Sequence, residues 1–158
     1  FKGGERYARD LAAALELPRD ELCTELGLYD CVGEVHRIAL GGVEPYEQAV
    51  FEPLPEPGVS SPIAVDRIAL SACGERVERE FQDGSLELLA ELMQGEPDAA
   101  ARAAVAQRLY RRLLRRDGEP REIEAVVGLW DDLPQPDART WAQLSCFAIA
   151  TTLENLFY

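Results

Sequence analysis

The sequence predicts an all-α fold: a compact bundle of about seven helices, tied by two disulfides and wrapped by a long, ordered, proline-rich loop. Three observations carry this expectation. Apolar residues recur at spacings of three and four through most of the chain, with Ser, Asp, Pro and Gly where helices would start and stop. Prolines at positions 45, 53, 55, 57 and 62 and glycines at 41, 42 and 58 leave residues 41–62 without regular structure, because proline lacks the amide hydrogen that helices and central strands require. Four cysteines stand beside a single histidine in 158 residues, a ratio that favours crosslinks over metal ligation.

In chain order, Tyr7, Leu11, Ala14 and Leu15 mark the buried face of a first helix over Glu5 to Glu16, ended by Pro18. Asp20 is expected to cap a short second helix through Leu22, Cys23 and Leu26, closed by Gly27. From Tyr29 to Leu40 the apolar positions Val32, Val35, Ile38 and Leu40 satisfy neither helix nor strand spacing cleanly; the segment is read as a short helix stopping at Gly41-Gly42. In the loop 41–62, Tyr46, Val50, Phe51 and Leu54 are expected to pin the chain to the body. Ordered loops longer than about 15 residues commonly carry function.

Ser61-Pro62 reads as a helix start, with Ser at the N-cap and Pro at the first helical position. Val65, Ile68, Ala69, Ala72, Cys73, Val77 and Phe81 then keep one face, with Gly74 a mild interruption and Asp83-Gly84 the stop. Ser85 is expected to cap a helix of Leu86, Leu88, Leu89, Leu92 and Met93, ended by Gly95-Glu96-Pro97. Asp98 leads a helix with Val105, Leu109 and Leu113 inward, stopped by Asp117-Gly118; Glu119-Pro120 opens another with Ile123, Val126, Val127 and Trp130. Pro134 and Pro136 precede a final helix capped by Asp137, in which Trp141 to Leu156 is apolar almost all the way round and so belongs at the centre of a core.

One domain over 1–158 is expected, with 47% hydrophobic residues sufficient for a core. Its charge is uneven. Residues 1–100 hold 8 Lys+Arg against 21 Asp+Glu, while 101–158 hold 8 against 8, for a net charge of -13. So acidic a surface disfavours nucleic acid and anionic lipid. The absence of a run of about 18 apolar residues leaves no membrane span, so contact with a membrane is expected only through a lipid anchor outside this chain. A start at Phe1-Lys2 rather than methionine fits a removed leader. With the cysteines, it places the expected protein outside the cytoplasm, in the periplasm, on the outer membrane or secreted.

The run Ala104-Val105, Leu109 to Arg116, Pro120-x-Glu122, Leu129, and the apolar helix ending Thr151 to Tyr158 resembles helical domains of unknown function found beside cytochrome-c-like domains in secreted proteins of planctomycetes and myxobacteria. The resemblance covers about a third of the chain. It departs at Thr152-Leu153 and Asn155, where those domains tend to have Ser-Pro and Phe. It implies a helical fold and an association with electron-transfer proteins, and carries no activity.

Four cysteines allow three pairings. Cys23 with Cys31 and Cys73 with Cys146 are favoured, the alternative being that some are buried free thiols. Cys23, Cys31 and His36 lack the ligand number and spacing of a structural zinc site. Haem attachment through Cys-x2-Cys-His is absent, which leaves noncovalent haem on His36 and Met93 as the only cofactor alternative to none. No Gly-x-Ser-x-Gly elbow occurs, the acidic pairs Asp20-Glu21 and Asp131-Asp132 are expected by chance in such a chain, and Gly3-Gly4 and Gly41-Gly42 lack a phosphate-loop context. No enzyme is expected.

Arg108, Arg111, Arg112 and Arg115 lie at helical spacing as a row on one helix, followed by Arg116. Two uses are open: pairing with the acidic front half, or docking an acidic partner. The expected function is therefore a noncatalytic, exported binding or scaffold subunit of a cell-envelope protein assembly, contacting protein partners through Tyr46, Phe51, Leu54 and the arginine row. The alternative is an accessory subunit of an extracytoplasmic, cytochrome-containing electron-transfer complex.

Overall fold

A disulfide between Cys73 and Cys146, with Cα atoms 5.8 Å apart, fastens the longest helix, α2 (Ser61–Asp83), to α5 (Ala138–Ala150). The computed structural model describes residues 2–53, 56, 58–84, 87–92 and 96–157. Around the α2–α5 pair are α1 (Gly4–Leu15), α3 (Ala99–Leu114), α4 (Pro120–Gly128) and the short α6 (Leu153–Phe157). Their apolar faces meet in one core, where Trp141, Tyr7, Leu11, Ile68, Leu109 and Ile149 are almost wholly buried. Two of its large aromatic side chains have their polar atoms matched: the Trp141 indole N–H donates to the Val126 carbonyl at 3.1 Å, and the Tyr7 hydroxyl donates to the Ala150 carbonyl at 3.4 Å. Burial, with the Asp66 charge behind it, pushes the Tyr7 hydroxyl above the usual tyrosine range.

The helix ends follow the sequence punctuation at several places. Asp98 accepts from the Ala101 amide at 2.7 Å and Asp137 from the Thr140 amide at 2.9 Å. Glu119 and Glu122 form a reciprocal box at the start of α4. Gly84, at φ 64, closes α2. Glu80, only 3% exposed on α2, accepts from the Leu88 and Leu89 amides at 2.9 and 2.8 Å and from Arg76 Nε at 2.8 Å. It thereby fixes the segment after α2 without a long helix of its own.

Several expectations are corrected. Residues 20–26 are not a helix. One 3-10 turn, Arg19–Glu21, leads into β1 (Thr24–Glu25), which pairs antiparallel with β2 (Tyr29–Asp30) in the register Thr24 to Asp30 and Glu25 to Tyr29. The reason is covalent: Cys23 and Cys31 are bonded across the base of the hairpin, so the chain must reverse between them. The expected helix over 29–40 is instead a π-helical turn, Cys31–Val35, capped by the Asp30 carboxylate on the Val32 amide and closed by the His36 amide on the Cys31 carbonyl at 2.8 Å. At the next helix, Ser60 takes the cap position. The Ser61 hydroxyl instead donates to the Ala39 carbonyl and accepts from the Gly58 amide, holding the loop.

The loop expected over 41–62 ends at Ser60, just before α2 begins, and over 41–60 it is irregular in its described residues apart from a backbone pair between Glu44 and Val50. It is not pinned by its aromatic residues. Tyr46 is 95% and Phe51 73% exposed, and the loop is held by polar stitches such as the Arg37–Glu44 ion pair at 2.6 Å. Leu54 lies outside the described residues, as do Ser85, Leu86, Met93 and Gly95 of the expected helix before α3; its described part is the 3-10 turn Ala90–Leu92, with Leu88, Leu89 and Leu92 buried. The final helix breaks at Thr151 and Thr152, whose hydroxyls donate back to the Phe147 and Ile149 carbonyls, each at 2.9 Å. Leu153 beyond the break faces solvent, so the helix is not apolar all round.

Gly4 is a packing requirement that periodicity did not reveal. A Cβ there would meet Leu40 Cβ at 2.5 Å, and the Gly4 amide donates to the Leu40 carbonyl at 3.0 Å, so α1 starts in direct contact with the end of the 31–41 segment.

The two disulfides close chains of very different length, with sequence separations of 73 and 8. By the loop-entropy relation, opening Cys73–Cys146 costs about 4 kcal/mol of stability and opening Cys23–Cys31 about 2.5 kcal/mol. Urea unfolding of the Cys73→Ala/Cys146→Ala and Cys23→Ala/Cys31→Ala variants is expected to show the larger loss in the first.

Candidate interaction surface

Two neighbouring segments place large apolar side chains in solvent. On the hairpin, Leu26 is 86% and Leu28 77% exposed, with Tyr29 half exposed beside them. On the loop stand Tyr46 and Phe51. Isolated exposed leucines need no explanation, but eight of the twelve exposed large hydrophobics among the described residues fall between Leu26 and Val59.

The hairpin is held firmly at its base. Besides Cys23–Cys31, the Cys31 amide donates to the Cys23 carbonyl at 3.2 Å, Arg67 of α2 pairs with Glu25 at 3.1 Å, and Arg19 bridges Asp30 and Glu5 at 3.4 and 3.0 Å. Partial burial works against the Asp30 carboxylate, but the Val32 amide and Arg19 outweigh it and hold the carboxyl below its ordinary range. At the tip, Leu26 (φ 55) and Gly27 (φ 68) are both left-handed, and the Leu28 amide donates to the Glu25 carbonyl at 3.0 Å. Two successive positive φ values are the mark of a type I′ turn, for which Asn-Gly is the favoured pair. Gly27 suits its place. Leu26 does not, since a left-handed conformation costs an L-residue roughly 1–2 kcal/mol and its side chain buries almost nothing in return.

The π-helical turn lies between hairpin and loop and touches both. Glu34 accepts from the Asp30 amide at 2.8 Å on the hairpin side. On the other side it lines a cleft of about 420 Å³ with Ile38, Glu44, Tyr46 and Glu47, in which Arg37 is the basic member and is already paired with Glu44. No Lys or Arg occurs from Ile38 to Asp66, a stretch that contains Glu44, Glu47, Glu52, Glu56 and Asp66. The exposed Tyr46 and Phe51 therefore stand on a stretch that carries only acidic charge.

The arginine row lies elsewhere, and most of it is already engaged. Arg108 forms two bonds to Glu91 and donates to the Leu88 carbonyl at 2.8 Å, Arg111 pairs with Asp117, and Arg112 pairs with Glu16 of the first helix end. The Arg108 guanidinium holds the Glu91 carboxyl below its usual range. Arg115 does not continue the row: at φ 59 it ends α3 and is exposed, with no ion-pair partner among the described residues. Arg116 is the strongest of these centres, taking Glu122 of α4 and Glu154 of α6 in two-pronged pairs at 2.7–3.1 Å.

The remaining candidates are not brought together. His36 Nε2 lies 3.6 Å from Glu25 Oε1, and its proposed haem partner Met93 is outside the described residues. Among the described residues no group of three or more His, Cys, Asp and Glu side chains is arranged to hold a metal, and no helix is long and apolar enough to cross a membrane. No protein-family model, curated protein or solved structure matches the chain.

The residues that sequence reasoning missed are Leu26, Leu28 and Tyr29. The available signal was a Leu-Gly-Leu run midway between Cys23 and Cys31, where a crosslink over so short a stretch requires a reversal.

Leu26→Asn creates the favoured Asn-Gly turn and is expected to raise stability by about 1 kcal/mol in urea unfolding. The Arg116 pairs are also expected to show in pH dependence. Arg116 holds the Glu122 carboxyl down from the ordinary 4.5 to about 2, so this contribution to stability is complete above pH 4.5 and is lost as pH falls through about 2. In Arg116→Gln, the Glu122 carboxyl followed by NMR is expected to titrate higher, towards 4.5, and the share of the acid-side loss of stability that it causes is expected to shrink.

Proposed function

We propose that this chain is a noncatalytic binding or scaffold subunit of an exported, cell-envelope protein assembly, and that it meets its partner through the hairpin and the proline-rich loop. The observation that carries the reading is the concentration of exposed Leu26, Leu28, Tyr46 and Phe51 on two segments that are individually tied down. A monomer gains nothing from fixing apolar side chains in solvent, whereas a binding surface gains by having them ordered before the partner arrives. Two disulfides suit an oxidising compartment outside the cytoplasm, and with all four cysteines so paired, none is left as a thiol nucleophile. The arginine row is dropped from the contact surface, because Arg108, Arg111 and Arg112 are committed to carboxylates of the same chain.

Site-specific photocrosslinking in cells that make the protein tests this. A benzophenone side chain replacing Phe51 is expected to give a discrete protein adduct in the extracytoplasmic fraction, and the same group replacing the exposed Arg121 of α4 is expected to give none. Equal adducts from both positions, or none from Phe51, would sink the reading. A haem-containing adduct would replace it with the electron-transfer alternative.

A further inference from the structure

We infer that the Leu26 turn is a docking knob for a different protein, one presenting an apolar pocket rimmed by lysine or arginine; the inference rests on the binding reading above. Leu26 occupies a left-handed position that asparagine would fill with less strain, and it offers its side chain almost entirely to solvent. The folded monomer recovers nothing for that choice. A partner that buries the side chain would, and the Cys23–Cys31 bond with the Arg67–Glu25 pair holds the turn in place before contact, which limits the entropy lost on binding.

Charge selects the class of partner. Beside the tip, Glu25 is paired with Arg67; past the hairpin base, Glu34 and Glu47 line the cleft with Tyr46, on a stretch in which only acidic charges follow Arg37 in sequence until Arg67. A second copy would bring one net charge of -13 against another, and an anionic bilayer would be repelled in the same way. A basic rim around an apolar pocket complements both features. Its cations would meet the Glu34–Glu47 cleft, where the exposed Tyr46 ring can also face a guanidinium or ammonium group.

The test is a selection of disulfide-cyclised random peptides displayed on phage against the intact, oxidised protein. Selected peptides are expected to combine Lys or Arg with Leu, Phe or Trp, to bind more weakly as NaCl is raised, and to lose at least about tenfold in affinity for Leu26→Asn, a variant that retains the fold. Peptides without a basic bias, undiminished binding to Leu26→Asn, or self-association of the wild-type protein that Leu26→Asn abolishes would each overturn the inference. If peptides fail in these ways while the Phe51 crosslink persists unchanged in Leu26→Asn, the inference alone falls. Loss of the Phe51 crosslink from the wild-type protein removes the underlying binding reading.

Discussion

Cys73 and Cys146 join α2 to α5 at a point where both helices are buried, and this is the most extensive contact between any two elements among the described residues. α1 and α3 pack against the same core, and Trp141 of α5 reaches the last turn of α4 through its indole N–H. Two turns beyond Cys73 on α2, Glu80 captures the Leu88 and Leu89 amides. A buried carboxylate is costly unless it is paired and hydrogen-bonded, and Glu80 meets that condition with two amides and Arg76. The central helix pair thus sets the positions of its neighbours both by covalent constraint and by obligatory hydrogen bonding.

The electrostatic design divides the molecule. Where arginines are plentiful, in α3 and just after it, they are used to stitch elements together: Arg112 to the end of α1, Arg108 to the segment after α2, and Arg116 to α4 and α6. Where they are scarce, from Ile38 to Asp66, Glu44 is the one carboxylate with an ion-pair partner among the described residues, and Glu44 and Glu47 line a cleft with the exposed Tyr46. That stretch carries five acidic and no basic residues, and the rest of the net charge of -13 comes from the other residues before 101.

The amphipathic helices were legible in the sequence because 3.6-residue periodicity and end signals such as Asp98, Glu119-Pro120 and Asp137 report local physics. Both cysteine pairings were favoured from the sequence and are those observed, whereas the hairpin between Cys23 and Cys31 was read as helix. There the local pattern of Asp20, Leu22 and Leu26 was overridden by a crosslink whose geometric effect spacing alone did not reveal. The loop aromatics were expected inward on hydrophobicity, yet Arg37–Glu44 and Ser61 anchor the loop by polar contacts that leave no periodic trace. The break at Thr151-Thr152 was hidden for a similar reason: hydroxyls bonding back to helix carbonyls are compatible with an apolar run up to the turn itself.

The Lys2 amide donates to the Leu156 carbonyl at 2.8 Å, so the two ends of the described chain are held side by side. Tension applied there would peel the end segments apart one bond at a time and then meet two covalent stops. Force arriving at Cys73 passes directly through sulfur to Cys146, and the chain between them carries none of it. Likewise the hairpin tip lies inside the Cys23–Cys31 loop and outside the line of pull. Under mechanical load, the Leu26 turn and the helices from the end of α2 to the start of α5 would keep their local connectivity after the termini had given way.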